Sequence, residues 1–311
     1  MNKLELYTRI YGSLHNYGRI PYWVFTPVRR FVRWLADEQL PKYLSRPERR
    51  GSRPIEKGLI VSFTSFPARI DCVWQVVESL KRQTILPEKI ILWLSKDQFP
   101  TMECVPQNLW REEDDLFEIM MVEGDIRSHK KYYYVMQDYP ECSFITCDDD
   151  VYYSPNMIRY LLDAARLNPN CIIANHTNRL TYNAVGQLLP YLQWGKNNTS
   201  YTIGDYFQVG IGGVLYPPHT LHELTLRKDL FMSLTPLADD IWLNCMARLN
   251  KTKVIQSTSI QLCLPVKSVA PTLSSVNNGS ENRNDTQICE LRNWLVVNNM
   301  PDVYDMTYKI E

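Results

Sequence analysis

Residues 143–155 read SFITCDDDVYYSP. Ser143–Cys147 has the length and character expected for a buried strand, and three adjacent aspartates follow it directly. Neighbouring carboxylates repel one another, and partial burial after a core strand makes their charges still more costly. Because apolar Val151 and Tyr152 come next, the pattern favours a ligand site at the end of a strand over a solvated acidic turn.

The residues before this stretch alternate between strand and helix patterns. The predicted elements are, in chain order, a strand at Leu59–Phe63, a helix at Ile70–Arg82, strands at Lys89–Leu94 and Leu116–Val122, and a helix over roughly 129–138. This alternation predicts an α/β fold, with an open and mainly parallel sheet covered by helices on both faces. Ligands bind such sheets beyond the carboxyl ends of the strands, so residues directly after the strands are the candidates for a functional site.

Composition limits the class of protein. The chain has 311 residues, of which 45% are hydrophobic and 22% charged, enough for one large core. A formal net charge of zero argues against a dedicated nucleic-acid-binding protein. None of the eight cysteines forms a Cys-x-x-Cys pair, which argues against structural zinc and indicates free thiols in a reducing compartment. No apolar run has the length of a signal sequence or a membrane span, so we expect a cytoplasmic protein.

The positive charge is concentrated in the first residues. Residues 1–53 hold eleven Lys and Arg against four Asp and Glu, a balance of +7, and we predict one α/β domain over residues 54–311. Residues 19–36 combine an apolar stripe at helical spacing with arginines elsewhere on the helix: Val28, Phe31, Val32 and Leu35 against Arg29, Arg30 and Arg33. Two interpretations stay open. The helix either lies on an anionic membrane surface, peripheral on the inner face of the cell membrane, or packs on the rest of the protein.

The aspartate run is the strongest candidate for a metal site. Carboxylate oxygens suit Mg²⁺ and Mn²⁺, which also bind phosphate oxygens. In extended backbone, Asp148 and Asp150 point to one side and Asp149 to the other. A bound divalent cation would remove the repulsion between the carboxylates.

Two further motifs can be read in two ways. In GDIRSHKKYYYVM (124–136), the cations at the start of the helix suit a diphosphate, but the motif alone favours an ordinary solvated helix start. In TPLADDIWLNCMARL (235–249), a helix is predicted over Asp240–Leu249, and the motif alone favours helix capping by its aspartates over chemistry.

Taken in order, these motifs resemble those of bacterial GT-A-fold glycosyltransferases that build capsular, exo- or lipopolysaccharides. The resemblance covers most of the chain, from about Ile60 to Gln287. Its fragments are VSFTSFPARI, SLKRQTILPEKIILWLS, GDIRSHKKYYYVM, ITCDDDVYYSP, GIGGVLYPP, LADDIWLNCMA and NDTQ. It implies a Rossmann-like half that binds a nucleotide-sugar, here expected to be a UDP-sugar, and a second half that binds the acceptor.

The resemblance also assigns roles to residues. Asp148–Asp150 would be the DXD element, with Asp148 at the ribose and the metal, and Asp150 at the metal. The remaining donor-binding residues it implies are Thr64, Arg69, Asp125, Lys130 and Asp149. The metal would be Mn²⁺ or Mg²⁺.

Asp239 and Asp240 resemble the site of the catalytic base in inverting members. The usual Glu-Asp pair is Asp-Asp here, which leaves the choice between the two residues open.

The predicted function is therefore metal-dependent transfer of a sugar to a glycan or lipid-linked glycan, with inversion. Two alternatives remain. A metal-dependent nucleotidyltransferase needs similar groups, although it would usually carry a Gly-rich loop where this chain has SFTSFPARI. The other alternative is a sugar- or nucleotide-binding protein with a structural cation.

Overall fold

The computed structural model describes residues 1–14, 22–48, 51–196, 206–257, 263–268 and 282–310. Within these ranges the α-helices are α1 Lys3–Ser13, α2 Thr26–Leu44, α3 Val73–Lys81, α4 Gln107–Trp110, α5 Lys130–Asp138, α6 Met157–Leu167, α7 Lys228–Leu234, α8 Asp239–Leu249 and α9 Arg283–Val297. The strands are β1 Ile55–Thr64, β2 Leu86–Ser95, β3 Phe117–Val122, β4 Ser143–Thr146, β5 Val151–Tyr152, β6 Ile172–Ala174, β7 Thr177–Arg179, β8 Gly195–Lys196, β9 Tyr206–Gln208, β10 Val214–Tyr216, β11 Val254–Gln256 and β12 Leu264–Pro265.

Seven strands form the central sheet, in the order β11-β6-β10-β4-β1-β2-β3. All neighbours pair in parallel except β10, which is antiparallel to both β4 and β6. Two small sheets, β12-β5 and β8-β7-β9, accompany it. The predicted α/β fold with a mainly parallel sheet is confirmed, whereas the sequence pattern did not predict the antiparallel β10 between β6 and β4.

Helices cover both faces of the sheet because successive residues of each strand point to opposite sides. Val61 and Phe63 of β1 belong to one buried cluster, together with Val76 of α3. Ile60 of β1 belongs to the other cluster, together with Val135 of α5. A strand buried on both faces needs a continuous apolar run, which is the pattern that marked these segments in the sequence.

The amino-terminal helices pack on the same core as the sheet. Leu4 of α1 and Ala36 and Leu40 of α2 are fully buried, in the cluster that contains Val61. Arg29, expected on the solvent side of the helix, is instead buried and donates to the hydroxyl of Thr26 at 3.0 Å. Residues 19–21 of the predicted amphipathic segment lie outside the described residues, and the division at residue 53 stays a prediction.

Across the described ranges, no helix combines the length and apolar character needed to cross a membrane.

Candidate functional site

A cavity of about 530 Å³ opens at the carboxyl edge of the sheet. Its walls come from the segments after β1, β3 and β4, the segment before β10, and the start of α8. This volume is within the ~300–1,000 Å³ of typical small-molecule sites. All the site residues predicted from the sequence line this cavity: Thr64, Arg69, Asp125, Lys130, Asp148, Asp149, Asp150, Asp239 and Asp240. The structure brings them together, and their individual roles stay predictions.

Asp149 is turned into the protein. Its carboxylate accepts hydrogen bonds from the hydroxyl of Ser65 and from the Nη1 of Arg69, each at 2.5 Å. The same Nη1 lies 3.2 Å from Asp150. Asp149 and Arg69 are each only 5% exposed, so their charges largely serve each other. Arg69, one of the donor-binding residues that the resemblance implies, thus lies against the aspartate run.

Asp148 and Asp150 face the cavity more openly, with 23% and 22% of their side chains exposed. Asp148 forms an ion pair with Lys131, whose Nζ also lies 4.0 Å from Asp239. One buried ammonium therefore connects the aspartate run after β4 with the start of α8. Burial by itself would lower the pKa of Lys131, but the carboxylates of Asp148 and Asp239 outweigh it and raise that pKa.

The aspartate run keeps an excess of negative charge. Three carboxylates share the two contacting cations, Arg69 and Lys131. Burial and the charge of Asp148 raise the pKa of Asp150 to about 6, even with Arg69 beside it. Its neighbours therefore destabilise the ionised form of Asp150, and an additional cation would stabilise it.

A divalent cation fits this set of ligands. In the described part of the chain, no group of three or more His, Cys, Asp and Glu side chains is placed as a complete metal cage. Mg²⁺ usually needs only one or two carboxylates together with substrate phosphates and water. Asp148 and Asp150, both open to the cavity, are the residues that would hold it.

The far end of the cavity is built around Asp125. Its carboxylate contacts the ammonium of Lys130 and accepts from the Nε2 of Gln98 at 2.9 Å. It also accepts from the backbone N–H of Arg127, which lies at φ 55°, a conformation uncommon for a side chain of this size. Burial lowers the pKa of Lys130, against the opposing effect of Asp125.

Thr64 lies on the wall of the cavity but is only 8% exposed. Its hydroxyl donates to the carbonyl of Trp93 at 2.7 Å, so it ties β1 to β2.

Helix α8 begins at Asp239, one residue earlier than predicted, and Ala238 occupies the cap position without a side-chain bond. Neither aspartate therefore acts as the N-cap, which corrects the sequence-based preference for capping. Asp240 accepts from the adjacent N–H of Ile241, at 2.9 Å. Burial and the charge of Asp239 raise the pKa of Asp240 to about 7.

Sequence reasoning missed two residues of the site, Ser65 and Gln98. Ser65 positions Asp149, and Gln98 holds Asp125. Among the described residues, the Oε1 of Gln98 is a buried acceptor with no hydrogen-bond partner. Ser65 directly follows β1, and Gln98 lies three residues after β2, so strand ends were the available signal.

The segment before β10, which follows the cavity residues Gly210 and Ile211, requires a glycine. Gly212, just before β10, has φ +90°, and a Cβ there would lie 2.7 Å from the Cδ2 of His176 and 3.0 Å from the Sγ of Cys263. Only a residue without a side chain permits this close approach.

No known protein family matches the sequence, and no curated protein is detectably similar to it. Solved structures with a partly similar chain path include 4-diphosphocytidyl-2C-methyl-D-erythritol synthase from Anaerococcus prevotii (13% identity, 77% of this chain and 97% of that chain, TM-score 0.33). Two others are HddC from Yersinia pseudotuberculosis (9%, 76% and 98%, TM-score 0.38) and apo-UDP-glucose pyrophosphorylase (9%, 78% and 99%, TM-score 0.37). None of these names is that of a glycosyltransferase, and likenesses this distant assign no reaction.

Proposed function

We propose that the cavity binds a nucleotide-sugar with Mn²⁺ or Mg²⁺, and that the protein transfers the sugar to a glycan or lipid-linked glycan. One observation supports this most strongly. Two acidic groups, Asp148–Asp150 and Asp239–Asp240, line the same cavity and are linked through Lys131. The proposed reaction needs two separate groups of carboxylates, one to hold the metal at the donor and one to take the proton of the acceptor.

On the donor side, the diphosphate would lie against the aspartate run, near the start of α5. A bound divalent cation would neutralise the charge that develops on the leaving nucleoside diphosphate. Asp148 and Asp150 would hold that cation. The side chain of Asp149 points away from it, because its carboxylate is bound by Ser65 and Arg69. At the far end, the carboxylate of Asp125, which Gln98 holds in place, can accept a hydrogen bond from the ring N–H of a uracil base.

On the acceptor side, Asp240 is the better base. Asp239 lies near the ammonium of Lys131, whereas the raised pKa of Asp240, about 7, is close to the value that suits a general base. Asp240 takes the proton of an acceptor hydroxyl, whose oxygen bonds to C1 from the face opposite the diphosphate. The bond from C1 to the phosphate oxygen breaks, and its electron pair leaves with the nucleoside diphosphate. The sugar is transferred with inversion.

Nucleotidyl transfer is the second candidate, because the same pocket, carboxylates and phosphate contacts also suit that reaction. The end of β1 and the loop after it, SFTSFPARI (62–70), support glycosyl transfer instead, since this stretch holds no glycine to cradle a triphosphate. For a lipid-linked acceptor the protein must work at a membrane, so we propose a peripheral location on the cytoplasmic face.

The test has two steps. Calorimetric titration of UDP and of UDP-sugars, with and without Mn²⁺, should give tight binding only with the metal. Each bound UDP-sugar is then incubated with candidate glycan acceptors, and a parallel sample receives UTP with a sugar 1-phosphate. Release of UDP with a glycosylated product supports the proposal, whereas pyrophosphate release from UTP establishes the nucleotidyltransferase. Binding without either product would mean a binding protein.

A further inference from the structure

Helix α2 has one face on the core and one face in solvent. Its buried face includes Ala36 and Leu40. The opposite face and the turn before it expose large apolar side chains, a set that we call the α2 surface: Trp23 (73% exposed), Val24 (42%), Val28 (46%), Phe31 (58%) and Trp34 (58%). Single exposed apolar residues are common in proteins, but five large ones in this short stretch are a concentration that indicates a binding surface.

The spacing explains why these residues share one side. Val28, Phe31 and Trp34 follow one another at intervals of three, which places them along one side of α2, and Trp23 and Val24 lie in the turn directly before it. The rings of Phe31 and Trp34 are stacked, with their centroids 6.0 Å apart. The patch is held by a helix whose other side is anchored in the core, so its shape is present before any partner binds.

The flank of the α2 surface is basic. Arg30 and Arg33 are exposed on the helix, between the apolar positions. The nearest exposed acidic residue of α2 along the chain, Glu38, lies 3.9 Å from Lys42 and is matched by it. With the +7 balance of residues 1–53, the surface is complementary to a partner that is both apolar and negatively charged.

We propose that the α2 surface docks on an anionic lipid bilayer, with its aromatic rings at the level of the headgroups and its arginines against lipid phosphates. Tryptophan and phenylalanine on one face of a basic helix suit the membrane interface, and anionic lipids attract the arginines. A second copy of the chain fits less well. A two-fold contact through this face would bring Arg30 and Arg33 near their own symmetry mates. The inference stands independently of the proposed reaction.

Full-length protein tests this by flotation with vesicles of phosphatidylcholine containing phosphatidylglycerol, and with vesicles of phosphatidylcholine alone. The apolar variant is Trp23→Ser/Phe31→Ser/Trp34→Ser, and the charge variant is Arg30→Gln/Arg33→Gln. The matched control is Val296→Ser/Val297→Ser at the end of α9, where the side chains are 61% and 80% exposed. All replaced residues are exposed, so circular dichroism and thermal unfolding should match the wild type.

We expect the wild type and the control to float with anionic vesicles and to be released by salt. The charge variant should bind about twenty-five-fold more weakly, about fivefold for each arginine lost. The apolar variant should lose on the order of a hundredfold.

Equal binding of all three variants would overturn the assignment of this surface. So would the absence of vesicle binding by the wild type. Concentration-dependent dimerisation that only the apolar variant loses, without vesicle binding, would replace the bilayer with a second copy.

Discussion

The side-chain nitrogen of Lys131 lies 4.0 Å from the carboxylate of Asp239 while it also contacts Asp148. Lys131→Met should therefore lower the free energy of unfolding by about 3–5 kcal/mol, because it leaves partly buried carboxylates without their cation. Urea unfolding measures this. In the variant, added Mg²⁺ should recover part of the loss, since a divalent cation can replace the missing charge between the carboxylates.

Lys96→Met is the matched control, because Lys96 pairs with Glu123 at the surface, where 45% and 80% of the side chains are exposed. An exposed pair contributes about 0–1 kcal/mol. Similar losses of unfolding free energy in the two variants would mean that Lys131 stabilises the fold no more than an exposed ion pair does.

The two carboxylates that contact Arg69 should differ in what they do. Asp150→Ala should weaken metal-dependent UDP binding at least tenfold and leave stability nearly unchanged, because it relieves repulsion between neighbours. Asp149→Ala should instead destabilise the fold by about 3–5 kcal/mol, since Arg69 is buried and would lose its closest partner. Calorimetric titration and urea unfolding of both variants check this. Asp163→Ala, at an exposed position of α6, controls for the loss of a carboxylate.

At the start of α8, Asp240→Asn should retain donor binding and lose transfer by roughly 10²–10⁴. Asp239→Asn should have a different effect, because the charge of Asp239 raises the pKa of Asp240. Without that charge the pKa of Asp240 falls, so the base stays ionised and activity persists at lower pH. The acid limb of kcat/KM against pH, measured for both variants, checks the sign. A shift of this limb to higher pH in Asp239→Asn would exclude the assignment.

His129 should make the fold sensitive to acid. Its ring is fully buried on Phe231, and its Nε2 lies 2.8 Å from the carbonyl of Thr235, which can only accept. The Nδ1 therefore accepts from the hydroxyl of Tyr132, and the ring is neutral. Burial lowers the pKa of His129 from 6.5 to about 4. The unfolded chain binds the proton first, so this contribution to stability is fully present above pH 6.5 and is lost as pH falls towards 4.

The loss is about 2 kcal/mol at pH 5 and about 3 kcal/mol at and below pH 4. Urea unfolding of the wild type and of His129→Gln between pH 8 and pH 5 should show a flatter slope in the variant. His219→Gln, at a 75% exposed position, should keep the wild-type slope. If His129→Gln also keeps it, this histidine is not the group that titrates.

A substitution of Gln98 tests whether the end of the cavity around Asp125 binds the nucleotide base. Gln98→Met keeps the volume but removes the unpaired carbonyl and the bond to Asp125. UDP affinity should fall about tenfold, since one hydrogen bond contributes about 0.5–1.5 kcal/mol and the freed carboxylate adds to the loss. Titration of UDP at fixed Mn²⁺ measures it, with exposed Gln193→Met as the control. An unchanged affinity would separate Gln98 from nucleotide binding.

The local sequence pattern was sufficient to predict the strands and helices that follow one another in the chain and pack together. The predicted strands Leu59–Phe63 and Lys89–Leu94 lie inside β1 and β2, and the helix over 129–138 is α5 with one preceding residue. These segments are long or strongly apolar, so burial on both faces leaves a clear pattern.

The remaining features depend on residues far apart in the chain. Ser65 and Arg69 reach Asp149 across 84 and 80 positions, and the antiparallel place of β10 depends on pairing with β4 and β6. No periodicity within a short segment records such contacts. The predicted start of α8 was one residue too late, because Asp239 was interpreted as the cap and Asp is a common cap residue. In the structure Ala238 is the cap and the helix begins at Asp239.

The antiparallel strand also limits how the protein can move. Leu215 of β10 pairs with Ile145 of β4 on one side and with Ile173 of β6 on the other. One continuous hydrogen-bonded sheet thus joins β1–β4 on one side of β10 to β6 and β11 on the other. The two groups of strands cannot rotate apart about a hinge without breaking the hydrogen bonds of β10. Any closure over a bound ligand therefore has to come from the segments at the carboxyl edge of the sheet.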